Sequence, residues 1–138
     1  MSARIGNPVE IVAASAILGV SSGRVIPLNN QQWVLITSVV IVYVPTATVG
    51  NRVPVFDFTD ASNVGIFRAV QGGSVTASSN TRFAMGAGIP TAVVTSPPVT
   101  TIALPDGLSL PPGSRLTVFD NANIDVNDSV TGSIVFSN

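Results

Sequence analysis

The C-terminal quarter of the chain, residues 104–136, limits the possible fold more than any other stretch. A Pro-Pro-Gly turn at 111–113 leads directly into the run 115–119, in which polar and apolar residues alternate. A polar loop rich in Asn and Asp follows, and a last apolar run covers 129–136. Because alternation with a period of two is typical of half-buried strands, this segment predicts the closing strands of a β-sandwich or barrel.

The rest of the chain has the same preference for strands. It contains 22 Val and 11 Ile against 7 Leu, and β-branched side chains suit a pleated sheet better than a helix. The 10 Pro and 12 Gly are spread along the whole length and supply turns at spacings typical of sandwiches. We therefore expect one all-β domain over residues 1–138, an antiparallel sandwich of about eight or nine strands.

The longest apolar segment, Trp33 to Val44, does not alternate cleanly. It is typical of a strand that is buried on both faces or lies beneath a subunit contact. The run 9–20 is too short to span a bilayer, which needs about 20 apolar residues, and its flanks do not fit a secretory signal. We interpret it as a strand or an ordered arm. The other predicted strands cover 16–20, 24–28, 53–59, 64–70, 74–83 and 99–104, and 84–98 is expected to be loop.

Charged residues are scarce. Only 9% of the chain is Asp, Glu, Lys or Arg, whereas soluble domains usually carry about 25%. So little charge gives a free monomer weak protection against association, which favours a surface partly covered by other subunits. The six basic residues are all Arg and are scattered, so the sequence predicts neither nucleic-acid binding nor a membrane partner.

Catalytic chemistry has few candidate residues. The chain lacks His, Cys and Lys, so Ser-His-Asp, Cys-His and Schiff-base mechanisms have no components within one chain. Asp57 and Asp60 lie close together in sequence, but their positions on a strand and its turn favour solvent-facing residues that fix the turn. We predict a protein without enzymatic activity and without a cofactor.

The polar loop near the C-terminus has an oxygen-rich pattern. Asn121, Asn123, Asp125 and Asn127 alternate, and Asp120 and Asp128 flank them. Gly is missing at the sixth position and Glu at the twelfth, so the EF-hand pattern fails. Asx side chains also hydrogen-bond their own backbone in turns. We therefore predict a turn with no metal ion.

Trp33 and Tyr43 begin and nearly end the longest predicted strand. Either ring could stack on a sugar or a base, but an aromatic side chain at a strand start is more often part of a core or a subunit interface. We assign both residues to a subunit interface.

Three stretches resemble small virion proteins of tailed bacteriophages. The first covers residues 27–42, the second is TATVGNR at 46–52 leading into 53–58, and the third is the ending LSLPPGSRLTVFDNANIDVNDSVTGSIVF. The resemblance implies a jelly-roll-like sandwich that serves as a head decoration (cement) protein. Such a protein is commonly a homotrimer at three-fold or quasi-three-fold positions, bound to the major capsid protein on the outer surface of the mature capsid. It is expected to stabilise the shell.

The N-terminal residues are the candidate capsid contact. Gly6 and Pro8 suit an extended arm over residues 1–9, and we assign Arg4, Ile5, Asn7 and Pro8 to the attachment, although a first strand of the domain's own sheet fits the same residues. Two other functions stay open. One is a receptor- or glycan-binding module of a tail fibre, and the other is a structural component of the tail or connector.

Overall fold

The structure is a computed structural model. Short segments rich in β-branched residues form its strands, and Pro, Gly and Asn lie in the turns between them. It describes residues 9–14, 16–17, 24–70, 75–95, 98–120 and 127–137, and these form strands and connecting loops without a helix. In chain order the strands are β1 (Val9–Ala14), β2 (Ala16–Ile17), β3 (Arg24–Pro27), β4 (Val34–Val44), β5 (Pro54–Thr59), β6 (Gly65–Val70), β7 (Thr81–Ala87), β8 (Ala92–Thr95), β9 (Pro98–Leu104), β10 (Ser109–Leu110), β11 (Arg115–Asp120) and β12 (Ser129–Ser137).

The strands form two sheets that pack face to face. The larger sheet has the order β1-β12-β4-β7-β9-β8, with β10 paired to β4 as a seventh strand. The smaller sheet has the order β2-β3-β11-β5-β6. The all-β sandwich predicted from the alternating segments is therefore confirmed.

The pairing pattern is that of a jelly roll. Strand β1 pairs with β12, β3 with β11, β4 with β7, and β5 with β6, all antiparallel. The chain is thus a long hairpin whose two halves are rolled together, so that successive pairs belong alternately to the larger and the smaller sheet. Closing two sheets on each other in this way protects most strand edges.

The structure corrects the predicted strand inventory. Twelve strands lie in the described residues instead of eight or nine, because β8 and β10 are not among the predicted strands and the run 9–20 contains two strands, β1 and β2. The predicted strand 99–104 corresponds to β9, and the predicted strand 16–20 contains β2, which pairs with β3. The sandwich is also not purely antiparallel, since β9 runs parallel to β7. The segment 84–98, expected to be loop, contains the end of β7 and all of β8, and the strand predicted at 74 begins only at Thr81.

Strand β4 is buried on one face of the domain, so the interpretation of burial on both faces is wrong. The alternative, a subunit contact over its outer face, stays a prediction. Its residues alternate between buried and more exposed, with Val39, Ile41 and Tyr43 facing the core. Val40, Val42 and Val44 lie on the opposite face and keep partial exposure. The apolar run lacks clean alternation because valines occupy the outer face as well.

The core lies between the two sheets. Phe56 of β5 and Phe83 of β7 join them, with ring centroids 5.0 Å apart at a tilted angle typical of packed aromatic pairs. Phe58 and Phe67 make a second, longer contact of 6.5 Å within the smaller sheet. Ile26, Leu28, Ile41, Leu110, Leu116 and Ile134 are other fully buried members of this core.

Two corners cross between the sheets side by side. One leads from β3 to β4 and the other from β10 to β11, and the strands on either side of them are paired. Asn30 holds the corners together, because its Nδ2 donates to the carbonyl oxygen of Pro111 at 2.8 Å and its Oδ1 accepts from the backbone N–H of Ser114. The Pro-Pro-Gly turn is therefore fixed by a buried amide from the other corner.

Candidate functional site

The residues assigned to capsid attachment, Arg4, Ile5, Asn7 and Pro8, lie outside the described residues. The described chain starts with β1, whose first residue, Val9, is paired with Phe136, and Phe136 is paired in turn with Ile36. Strand β1 therefore begins at the end of the sandwich where β4 also begins. Trp33 immediately precedes β4 in the chain. Sheet pairing from Val9 onward agrees with the strand interpretation for the start of the run 9–20.

Trp33 lies at the surface. Its side chain is 62% exposed immediately before β4, and Leu35, two residues later, is also exposed. The chain has eight aromatic residues, all within the described ranges, and Trp33 is the exposed one among them. It is therefore available to a second subunit or to another ligand.

Tyr43 is a correction to the predicted interface. It points inward from β4, is almost completely buried within its own domain, and donates a hydrogen bond from its hydroxyl to Oδ2 of Asp128 at 3.1 Å. A side chain enclosed by its own sandwich does not reach a neighbouring subunit. The period-two alternation that also turns Ile41 inward places Tyr43 in the core.

Asp128 and Arg52 form an ion pair that is closed off from solvent. Nε of Arg52 donates to Oδ2 of Asp128 at 2.8 Å and Nη2 donates to Oδ1 at 3.1 Å, and both side chains are fully buried. The two remaining donors on Nη1 reach the carbonyl oxygens of Thr48 and Gly50, and the second donor on Nη2 reaches Oγ1 of Thr46. All five guanidinium N–H groups thus have acceptors, as a buried Arg requires.

The carboxylate of Asp128 is equally well satisfied. Besides the two bonds from Arg52, Oδ2 accepts from Tyr43 and Oδ1 accepts from the backbone N–H of Thr46 at 2.7 Å. The backbone of Arg52 also exchanges hydrogen bonds with that of Val75. One ion pair therefore joins the loop after β4, the segment before β7 and the start of β12.

Sequence reasoning missed this pair. The sequence predicts Asp128 as part of a turn, and it gives Arg52 no role beyond its place among the six Arg and in the resembling segment 46–52. Asn121, Asn123 and Asp125 of the oxygen-rich pattern lie outside the described residues. Across the described ranges, no group of three or more acidic side chains is placed to hold a metal ion. The one signal in the sequence was the presence of Arg in a charge-poor apolar region.

Asp57 and Asp60 have separate structural roles. Oδ1 of Asp60 accepts the backbone N–H groups of Ser62 and Val64, so Asp60 fixes the turn between β5 and β6 as predicted. Oδ2 of Asp57 accepts from Nη2 of Arg68 at 2.9 Å on the outer face of the smaller sheet. This hydrogen bond, together with the negative charge of Asp57, raises the pKa of Arg68 above its ordinary value.

The larger sheet has β1 at one edge and an uncharged strand at the other. Strand β8 forms this edge, residues 91–94 are exposed, and the side chains of Val93 and Val94 are 54% and 51% exposed. In the described part of the chain, no strand pairs with its outer side. One edge strand of the smaller sheet, β6, carries Arg68, and charged residues of this kind discourage pairing with other chains. Strand β8 lacks such a residue.

The outer face of the larger sheet has a shallow depression. A depression of about 420 Å³ lies where β4, β7 and β9 meet, and Val42, Asn80, Thr81, Arg82, Pro98 and Val99 line it. Among the described residues that line it, Arg82 is charged and the others are apolar or neutral polar.

The described residues include no helix of the length and hydrophobicity needed to cross a membrane. No protein-family model matches the chain, and no curated protein matches it. The candidate site is therefore defined by its surfaces: the uncharged β8 edge, the exposed Trp33 corner, and the end of the sandwich organised by Arg52 and Asp128.

Proposed function

We propose that the protein is a non-enzymatic virion structural protein, a head decoration (cement) protein that binds the outer surface of the mature capsid. The partners are the major capsid protein and two further copies of the same chain, arranged as a trimer at three-fold or quasi-three-fold positions. The observation that carries this proposal is an uncharged, half-exposed apolar edge strand on a jelly roll with very little charge elsewhere.

The exposed, uncharged backbone and side chains of the β8 edge are better explained by self-association than by a monomeric protein. Alternate residues of an antiparallel strand direct both backbone groups to the same side, so half of the β8 residues offer an N–H and a C=O to the open side. Val93 and Val94 add apolar surface, and the chain as a whole has only 9% charged residues to oppose association. Cyclic symmetry lets each copy cover the same patch on its neighbour.

The mechanism is stabilisation by mass action. A protein that binds the mature shell better than the immature or disrupted shell shifts the equilibrium toward the mature shell, in proportion to the logarithm of its free concentration over its Kd. No group needs to react, and the chain's lack of His, Cys and Lys is consistent with that. A trimer across a junction between capsomers adds buried area where internal pressure separates them.

Assembly state and shell binding test the proposal. Light scattering at micromolar concentration is expected to give three times the 14.1 kDa chain mass. Purified protein is then mixed with expanded and unexpanded heads of the phage that encodes it, and sedimentation is expected to show binding to expanded heads alone. A monomer, or equal absence from both kinds of head, contradicts the proposal.

The exposure of Trp33 favours one second candidate, a receptor- or glycan-binding module of a tail fibre. An exposed indole ring can stack on a sugar ring, and Trp33 has most of its side chain free of its own domain. Clear and competable signals on a glycan array, lost in Trp33→Ala, would support this alternative. Immunogold labelling of intact particles distinguishes it further, because a decoration protein labels the head and a fibre module or connector component labels the tail.

A further inference from the structure

The loop over residues 46–51, which we call the tip loop, presents an apolar side chain to solvent. It follows β4 and ends next to the buried Arg52, and Val49 near its centre is 94% exposed. Single exposed valines are common on protein surfaces and need no explanation by themselves. The position of Val49 is unusual because of what holds the backbone on either side of it.

The buried guanidinium of Arg52 fixes the tip loop from inside. Its Nη1 donates to the carbonyl oxygen of Thr48 at 2.9 Å and to that of Gly50 at 2.6 Å, the two residues that flank Val49. Asp128 holds the guanidinium in place and also accepts from the N–H of Thr46. The carbonyl of Thr46 accepts from the N–H of Ser78, which ties the base of the loop to the next segment.

The loop backbone is set before any partner arrives. Gly50 has a φ of 134°, a region that L side chains rarely adopt, so its conformation depends on glycine. Rigid presentation reduces the entropy that is lost on binding, which is the general advantage of preorganised contacts. The fold uses a fully buried ion pair to hold the backbone on both sides of one exposed valine.

The chemistry of the tip loop identifies the class of partner. Residues 46–51 include no charged side chain, and the adjacent cation, Arg52, is buried in the ion pair. Nucleic acid requires cations for its phosphates. Membrane binding scales with the buried apolar area and with cationic attraction to anionic lipids, and residues 46–51 supply little apolar area and no cation. A neutral apolar socket on another protein fits the loop.

We propose that the tip loop is a rigid docking element, with Val49 inserting into an apolar socket on the protein to which this chain attaches. The inference rests on the proposed function, in which that partner is the capsid shell protein. It places one contact on the side of the sandwich formed by the end of β4 and the start of β12, away from the start of β1. A trimer presents three such tips, which multiplies the effect of each contact.

Shell binding by matched charge variants tests this assignment. Val49→Asp is expected to weaken binding to expanded heads at least tenfold, with the melting temperature and the oligomeric mass unchanged. Val64→Asp is the control. Val64 is also well exposed, at 59%, but it lies in the turn after β5, whereas the tip loop precedes the start of β5. Val49→Ile, which keeps the apolar contact, is expected to bind as the wild type does.

The outcomes separate this inference from the proposed function. If wild-type protein and Val49→Asp bind expanded heads equally well, the tip loop is not the contact, while the decoration role stands. If Val64→Asp loses as much binding as Val49→Asp, the effect is one of added charge and the assignment is wrong. If the wild type binds neither kind of head, both proposals fail.

Discussion

Arg52 and Asp128, which are 76 positions apart in the chain, form a buried ion pair in which every guanidinium donor has an acceptor and the carboxylate accepts hydrogen bonds from Arg52, Tyr43 and Thr46. Desolvation of two charges is costly, and such a pair stabilises a fold only when its remaining donors and acceptors are satisfied. Here they are, by backbone and side-chain groups of residues 43–50, at the end of β4 and in the loop that follows it. The pair therefore determines how one end of the sandwich closes.

Replacement of Arg52 by Met leaves the Asp128 carboxylate buried without its counter-charge. We expect the free energy of unfolding to fall by about 3–5 kcal/mol, the usual cost of breaking a buried pair from one side. Arg52→Lys is not expected to restore stability, because an ammonium group has three donors and lacks the planar fork of Arg. Urea unfolding followed by tryptophan fluorescence measures both variants.

The control for this experiment is Arg68→Met. Arg68 pairs with Asp57 at a similar distance, 2.9 Å, but its side chain is largely exposed. Exposed ion pairs contribute little to stability, so the urea midpoint is expected to change only slightly. Equal losses in the two Met variants would show that burial is not what gives the Arg52 pair its importance.

Tyr43→Phe removes one hydrogen bond to Asp128 and leaves the ring in place. The expected loss is about 1.5–3 kcal/mol, the range for hydrogen bonds to a charged group. Because Tyr43 lies inside its own domain, light scattering should give the same mass for the variant and the wild type. If the mass of the oligomer changed while the stability did not, Tyr43 would have to be assigned to a subunit interface after all.

Gly132 on β12 faces the core, and its missing side chain makes room for two isoleucines. A Cβ atom there would lie 2.6 Å from Cδ1 of Ile41 and 2.8 Å from Cδ1 of Ile26. Gly132→Ala is therefore expected to cost about 1–3 kcal/mol through overpacking, measured by thermal or urea unfolding.

A double-mutant cycle checks the cause. Ile41→Val removes the closer Cδ1 and by itself costs about 0.5–1.5 kcal/mol. If the steric explanation is right, Gly132→Ala combined with Ile41→Val loses less stability than the sum of the single changes, by more than about 0.5 kcal/mol. Strict additivity of the two effects would contradict it.

Val93→Lys places a charge on the β8 edge. Edge lysines discourage strand pairing between chains, so we expect the oligomer to dissociate to monomer at micromolar concentration. Since Val93 is half-exposed, the stability of the isolated domain is expected to change by less than about 0.5 kcal/mol. Val64→Lys, a comparable change away from β8, should leave the mass unaltered; dissociation of both variants would contradict an interface at β8.

Several elements were predictable because their signals are local. The hairpin of β5 and β6, the strand β11 after the Pro-Pro-Gly turn and the strand β12 each follow from alternation bounded by turn residues. Strand β9 corresponds to the predicted strand 99–104, whereas β8 lies in a segment that was expected to be loop. Pro and Gly around 84–98 suggest loop, yet β8 lies among them at the edge of the sheet, and Pro98 is tolerated as the first residue of β9.

The sequence by itself determined that this chain forms a β-sandwich and that it lacks the residues for common catalytic mechanisms. Alternation and turn chemistry depend only on residues close together in the chain, and composition does not depend on their order. Only the tertiary structure decided that Arg52 meets Asp128, that Tyr43 points inward to them, and that Val49 stands outside on a fixed loop. Those relationships depend on the jelly-roll pairing of distant strands. A short stretch of sequence does not indicate which distant residue this pairing will place next to it.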